Sequence, residues 1–524
     1  MKKRILGCIA LLCMLVTLAF AGCGGGTGDA TIPLDVDFNN KPELSIMLQA
    51  TGRGDGELDT SLPAQIIEKH TGYKVSYSQL PATEITMAVQ LAFMNRSPYH
   101  AIKVTKEQFN LLLAQDALLD IRPALETYGT YLLENINQAN WNVVTYNGGI
   151  YGIPEGGSFT KGQYNVVDCM IFREDLLYEE GLDIPETLDE FTAVLRHFKQ
   201  KYGASYYPLT IPAQMDGTEL AALVPSIAVA FDIYQYWSKV GDEYVYYLDH
   251  PNYKAYMEYM IGLYNEGLID LDVMTQDKTG AISKFGSGDA VCIVTTTDEI
   301  PAILSMLRSN GEIGQNEQNL AVVGGLLDSN GEVHTYHRGG FAYVTVIPRY
   351  MNEEAAYTVD WLTRKLYDDC YFELNLGQEG VHYVVNPDGS YSTTDKISEL
   401  SMSSYFTTGQ INSAERSQVW FAKIRNQEYY PYFMELNEFA DEQGTYNPIL
   451  FSNHLETYDE NRNVLDTYAR EQAMIMIFED RSVARYEEVL ARWKADGGES
   501  ASQEVTDWCR DNFDGKVKVE DRYD

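Results

Sequence analysis

Apolar positions along the chain change period in a readable order. A short apolar run over 44–48 is followed by glycines at 52, 54 and 56, then by Leu62, Ile66 and Ile67 at helical spacing, closing at Gly72. Tyr73 to Tyr77 is again extended. Strand, helix and strand at this spacing predict right-handed crossovers and a parallel α/β sheet. The alternation continues with a helix over 85–94, a strand over 101–104, a helix over 106–114 and a break at Arg122-Pro123. Asn147-Gly-Gly-Ile-Tyr-Gly-Ile-Pro154 reads as a turn feeding an extended segment, and a strand resumes over 165–173. Thr187-x-x-Glu190 is a capping box, in which hydroxyl and carboxylate each satisfy an orphan backbone donor. Leu188, Phe191, Leu195 and Phe198 mark the core face of the helix it opens. Downstream the pattern predicts a helix over 253–266, strands over 290–295 and 340–347, and a helix over 353–368. The last hundred residues are mostly helical and charged, with amphipathic stretches at 467–478 and 483–495.

The N-terminus has a different logic. Lys2, Lys3 and Arg4 precede a charge-free apolar run from Ile5 to Ala21, which closes on Gly22-Cys23 and three further glycines. A spanning helix needs about 20 apolar residues, so a cleaved secretory signal fits better than an anchor. Phe20-Ala21-Gly22-Cys23 resembles a bacterial lipobox, which implies a signal over 1–22, a diacylglycerol (palmitate-bearing) anchor on Cys23 and a tether over 23–31. The third residue before the cysteine is usually Leu and here is Phe20.

Composition narrows the partners. The 524 residues carry 39 Lys+Arg against 76 Asp+Glu, a net charge of −37, and loss of three basic residues with the signal takes this to −40. Such a chain repels polyanions, so neither nucleic acid nor anionic lipid is expected as a partner. Tyrosine is abundant at 38, which suits surfaces that must be apolar and hydrogen-bonding together. The body keeps Cys169, Cys292, Cys370 and Cys509 without a C-x-x-C pair, so zinc-ribbon and thioredoxin-like readings fail.

Motifs with catalytic or cofactor letters do not hold. Gly52-Arg-Gly-Asp-Gly56 sits between strand and helix, but its third glycine comes one residue early for a dinucleotide loop. His334-x-x-His337 lies in an extended segment, where positions three apart face opposite ways, with no third ligand nearby. Asp35-x-Asp37-x-Asn39 lacks the glycine and glutamate of a calcium loop. No metal, cofactor or catalytic residue is expected.

Several segments in order resemble the extracellular solute-binding lipoproteins (carbohydrate class, family 1) of Gram-positive ATP-driven (ABC) importers. They are His70-Thr-Gly-Tyr-Lys-Val75, Gly149-Ile-Tyr-Gly-Ile-Pro154, Phe172-Arg-Glu-Asp-Leu-Leu177 and Gly181-Leu-Asp-Ile-Pro-Glu-Thr-Leu-Asp-Glu-Phe191. Tyr264-Asn-Glu-Gly-Leu-Ile-Asp270, Phe285-Gly-Ser-Gly-Asp-Ala290 and Asn375-Leu-Gly-Gln-Glu-Gly-Val-His-Tyr383 follow. Ser97-Pro-Tyr-His-Ala-Ile-Lys103 departs from the family's usual segment. The resemblance implies a two-lobed, periplasmic-binding-protein-like (type II) α/β fold with a hinge. Lobe one is expected at 30–157 plus 339–400, lobe two at 158–338, and a helical C-terminal region at 401–524 packing on both. It also implies a monomeric, non-enzymatic receptor at the outer face of the cell membrane, which hands a carbohydrate, oligosaccharide above all, to ABC permease subunits.

Sugar recognition needs aromatic faces and planar polar groups at strand ends. Gln49, Arg53 and Asp55 follow the first strand, Thr105 the third, and Tyr151 and Glu155 lie at the first crossing. Thr296 and Asp298 follow the 290–295 strand, and Arg338 stands at the return crossing. Trp237 and Trp420 are the candidate stacking platforms, each with core packing as the alternative, whereas Trp361, between Val359 and Leu362, is read as core. Two other roles remain open from sequence: a surface-anchored glycoside hydrolase or lyase, and a sensory receptor of the same fold.

Overall fold

The computed structural model describes residues 30–514, apart from 50–54, 82, 157–165, 214–220, 338–340, 412, 424–437 and 441. Two mixed sheets organise these residues. The first has the order Val75–Gln79, Leu44–Leu48, Ala101–Val104, Phe341–Val346, Ile153–Gly156. Its first three strands are parallel, as the helix-linked pattern requires, while Phe341–Val346 runs antiparallel to both neighbours because it enters from the other lobe. Val75–Gln79 starts two residues later than its apolar run suggests. Gly72 ends the preceding helix at φ 69°, and the chain turns through Tyr73, whose hydroxyl donates to buried Asp360 at 2.9 Å.

The second sheet has the order Leu320–Val323, Asp168–Arg173, Cys292–Thr296, Leu209–Thr210. Asp168–Arg173 is buried along its whole length and antiparallel to both neighbours, which its unbroken apolar centre permits. Helix Leu188–Tyr202 opens with the predicted capping box and buries Phe191, Leu195 and Phe198 against this sheet's core. Cys169, Cys292, Cys370 and Cys509 are buried and form no disulfide among the described residues, and Trp361 is core.

The C-terminal helices share their core with the second lobe. Helix Glu456–Met474 begins eleven residues before the predicted amphipathic stretch and continues into a single π turn, Ile475–Glu479. Its Leu465, Ala469 and Ala473 join Trp493 and Cys509 in one apolar cluster with the second lobe. Tyr246 stacks on Trp493 at 5.2 Å with the rings 8° apart. The same region also reaches the first lobe. Lys106 Nζ donates to the Ile449 carbonyl at 2.9 Å, and Asn110 Nδ2 to Asp459 at 2.8 Å. On helix Ala414–Lys423, Phe421 enters the second lobe's Ile282–Phe285–Ile303 cluster while Val419 and Ala422 pack with Leu376.

Lys365, at the end of helix Ala355–Lys365, is 2% exposed and donates to the Phe406 carbonyl at 2.7 Å. Burial pushes its pKa from 10.5 down to about 7. Between those two values the unfolded chain holds a proton that the folded chain lacks, so this residue makes stability rise with pH across that window. Lys106 and Lys423, both pushed down to about 8, act in the same direction. Lys365→Met should therefore flatten the rise of unfolding free energy between neutral and alkaline pH, by at most about 1.4 kcal/mol per pH unit. Urea titrations at several pH values test this, and a slope equal to that of the unsubstituted protein contradicts it.

Candidate functional site

Three elements of the second lobe meet at one sheet edge. Asp168 opens its strand opposite Thr296, and Val167 bridges to His337, so these three segments lie side by side here. Over this edge lies a cavity of about 450 Å³, within the range of small-molecule sites. Asp168, Asp298 and Tyr336 come from the sheet edge, and Gln235 and Tyr236 from the loop before strand Trp237–Val240. Helix Glu456–Met474 closes the other side with Tyr458, Arg462, Asp466 and Arg470. These four recur every fourth residue, and so stand in one row along the helix.

Packed aromatics fix the wall. Tyr236 meets Tyr247 edge-on at 5.8 Å and Tyr336 at 6.3 Å. The Tyr336 hydroxyl donates to the Ile233 carbonyl at 2.5 Å. Tyr336 held this way contributes area without a loose polar end. Asp466 accepts from the Tyr458 hydroxyl at 3.1 Å and from Arg462 Nε at 3.4 Å. Burial raises the Asp466 pKa, opposed by Arg462 and the hydroxyls of Tyr246 and Tyr458. Arg462 also reaches Glu107 of the first lobe at 3.2 Å, so one guanidinium touches cavity and lobe junction together. Asp298 Oδ1 and Asn447 Oδ1 are buried without a hydrogen-bond partner among the described residues. The site therefore offers flat aromatic edges, fixed charges and unfilled acceptors, which is equipment for holding a polar molecule.

Residues 64–348, more than half of the chain, match the family described as bacterial extracellular solute-binding protein. The chain belongs to this family. Among curated relatives, the solute-binding protein is 22% identical to lipoprotein LipO of Bacillus subtilis (strain 168) over 469 residues, 85% of this chain and 88% of that one. Among solved structures it is similar to the S. pneumoniae ABC-transporter substrate binding protein FusA in complex with kestose. The TM-score is 0.65 at 15% identity, over 90% of this chain and 99% of that one. An extracellular solute-binding protein from Bifidobacterium longum subsp. infantis gives TM-score 0.66 at 13% identity, over 92% and 100% of the two chains. These likenesses establish the two-lobed, type II periplasmic-binding-protein-like fold. Among the described residues no helix is long and apolar enough to cross a membrane.

The sequence-predicted residues of the solute-binding protein fall in several places. Asp298 lines the cavity. Trp237 backs it: the indole is 1% exposed, with Tyr246 at 5.2 Å and Tyr458 at 5.4 Å between it and the lining. A stacking platform must be open on one face, and this one is covered. Thr296 is fully buried. Gln49 and Glu155 converge on Lys103 at the carboxyl edge of the first sheet. Gln49 Nε2 donates to the Lys103 carbonyl at 2.6 Å, and Lys103 Nζ to Glu155 at 2.8 Å. Burial pushes the Glu155 pKa up, and Lys103 opposes this.

Thr105 is a helix cap, its Oγ1 accepting from the Gln108 amide at 3.3 Å. Tyr151 lies four residues back from Glu155, toward the opposite edge of the sheet and near Asp120. Trp420 is 40% exposed on helix Ala414–Lys423 and does not line the cavity. Cys23, Arg53 and Arg338 lie outside the described residues, as does the Asp55 side chain.

Near His334 the structure supplies what sequence spacing missed. Asp328 lies 3.4 Å and Glu332 3.7 Å from its Nε2, whereas His337 turns to the Ala440 carbonyl. Asp328 is already engaged by the Tyr234 hydroxyl and the amides of Asn330 and Glu332. Burial alone would raise its pKa, yet these donors hold it down to about 2. The cluster braces a turn.

The amphipathic stretch expected at 467–478 leaves out Tyr458, Arg462 and Asp466, which the structure places earlier on the same helix. Their four-residue spacing, continued by Arg470 and offset from Leu465, Ala469 and Ala473, was the available signal.

Asp459 Oδ2 accepts from Asn110 Nδ2, from the Leu455 amide at 3.0 Å and from His454 Nδ1 at 3.0 Å. Asp459→Ala should cost about 2–4 kcal/mol in unfolding free energy, since it strands a buried first-lobe donor and unties a helix start. Chemical denaturation of the variant checks this, with a loss below about 0.5 kcal/mol contradicting it.

Proposed function

We propose that this chain is the capturing receptor of an ABC importer for carbohydrate, oligosaccharide in particular, which it holds at the lobe junction and passes on without covalent change. The observation that carries the reading is the cavity itself, in which tyrosine edges alternate with carboxylate, amide and guanidinium groups. Sugar rings present apolar C–H faces and a rim of hydroxyls, and this lining matches both. FusA of S. pneumoniae, a protein of the same fold, has its structure in complex with kestose, which supports the same ligand class.

The moving bodies we assign are 30–157 with 339–400, and 158–338, with 401–524 packed on both. Closure excludes water from the bound solute and orders the segments between the lobes. The lipobox-like Phe20-Ala-Gly-Cys23 supports cleavage after residue 22 and a lipid on Cys23, holding a monomer at the outer face of the membrane beside its permease.

Incubation of the purified chain with mixed neutral oligosaccharides, followed by native mass spectrometry and chromatography of the sugar, tests capture against turnover. One sugar retained per chain, released unaltered, is the expected result. Ligand at a hundredfold its Kd should also stabilise the fold by about 2.7 kcal/mol. Progressive cleavage of the sugar would contradict the receptor reading.

A further inference from the structure

We infer that the cavity is built for a neutral, hydroxyl-rich saccharide and discriminates against acidic ones such as uronates and sulfated sugars, an inference that rests on the carbohydrate reading above. Three independent observations carry it.

The first is the sign of the lining. Asp168, Asp298 and Asp466 face the cavity against Arg462 and Arg470. Arg462 is moreover already spent on Asp466 and Glu107. Among the described residues three lining carboxylates outnumber two arginines, so an acidic sugar placed here would add a further negative charge to that lining. An uncompensated buried charge is far costlier than a buried hydroxyl.

The second is the polarity of what remains unfilled. Asp298 Oδ1 and Asn447 Oδ1 are acceptors without partners among the described residues. An ionised carboxylate can only accept. A sugar hydroxyl donates to such an oxygen and removes its desolvation penalty, whereas a carboxylate or sulfate oxygen brings a second acceptor and repulsion.

The third acts at long range. A chain with net charge −37 surrounds its clefts with negative potential, which slows the arrival of anions and leaves neutral solutes unaffected.

The test titrates the full chain with two matched sets of probes. One set is neutral tri- to hexasaccharides from starch, inulin, xylan and galactan. The other is acidic oligosaccharides of the same lengths from pectin and alginate. At least one neutral probe should bind and raise the melting temperature, while the acidic set binds at least tenfold more weakly. An acidic probe binding more tightly than every neutral one overturns the charge inference and leaves the carbohydrate reading standing. Failure of all probes in both sets counts against the carbohydrate reading, and the inference falls with it.

Substitution then locates the acceptor. Asp298→Ala should weaken the best neutral probe about tenfold, and Asp298→Asn, which retains an acceptor oxygen in nearly the same shape, should restore most of that loss. Should the alanine variant fail to fold, Asn447→Ala is read the same way. Unchanged affinity in the folded variants overturns the assignment.

Discussion

The pairing of the Asp466 carboxylate with the Tyr458 hydroxyl and the Arg462 guanidinium is the contact on which cavity and lobe junction both depend. A partly buried carboxylate at a cavity wall is held in place when its oxygens accept hydrogen bonds and its charge is answered. Arg462 answers it and extends to Glu107, so the same group that neutralises the cavity wall also meets the first lobe. One helix thereby carries two duties. Its Leu465, Ala469 and Ala473 complete the second lobe's core, and its polar row lines the cavity. Rotation of the helix by one residue would bury the row and expose the apolar stripe, so its register is set by both faces together.

The surplus of tyrosine follows from this arrangement. Tyr246, Tyr247, Tyr253 and Tyr256 form a chain of ring contacts running inward from the cavity, from 4.6 to 5.5 Å apart. Tyr253 donates to the Ala222 carbonyl and Tyr256 accepts from the Val224 amide, so their hydroxyls fix the backbone of the preceding loop. A wall of phenylalanine would pack as well but would leave those backbone groups without partners. Rigidity of the wall matters for a binding protein, because a lining ordered before the ligand arrives does not charge its ordering entropy to affinity.

Much of the fold could be read from the sequence because its elements obey local rules. Thr187 and Glu190 make their capping box, Leu44–Leu48 is a strand, and the family resemblance agrees with the family match. The site was harder, for physical reasons. Trp237 is the largest aromatic in its segment, yet size favours burial, and the smaller Gln235 and Tyr236 beside it line the cavity. Tyr151 and Glu155 are four residues apart on an extended segment, so they diverge toward opposite sheet edges although they are neighbours in sequence. Arg462 and Asp466 acquire their roles only when a helix more than 250 residues downstream of the Asp168–Arg173 strand folds back over it, a pairing that local pattern does not encode.

A crystal structure of the chain with a retained oligosaccharide tests the central claim most directly. The account predicts sugar density against Tyr236, with hydroxyls on Asp298 and Asn447 and the helix bearing Arg462 closing over it. A sugar seated away from this cavity, on exposed Trp420 or beside Tyr151 and Asp120, would contradict it.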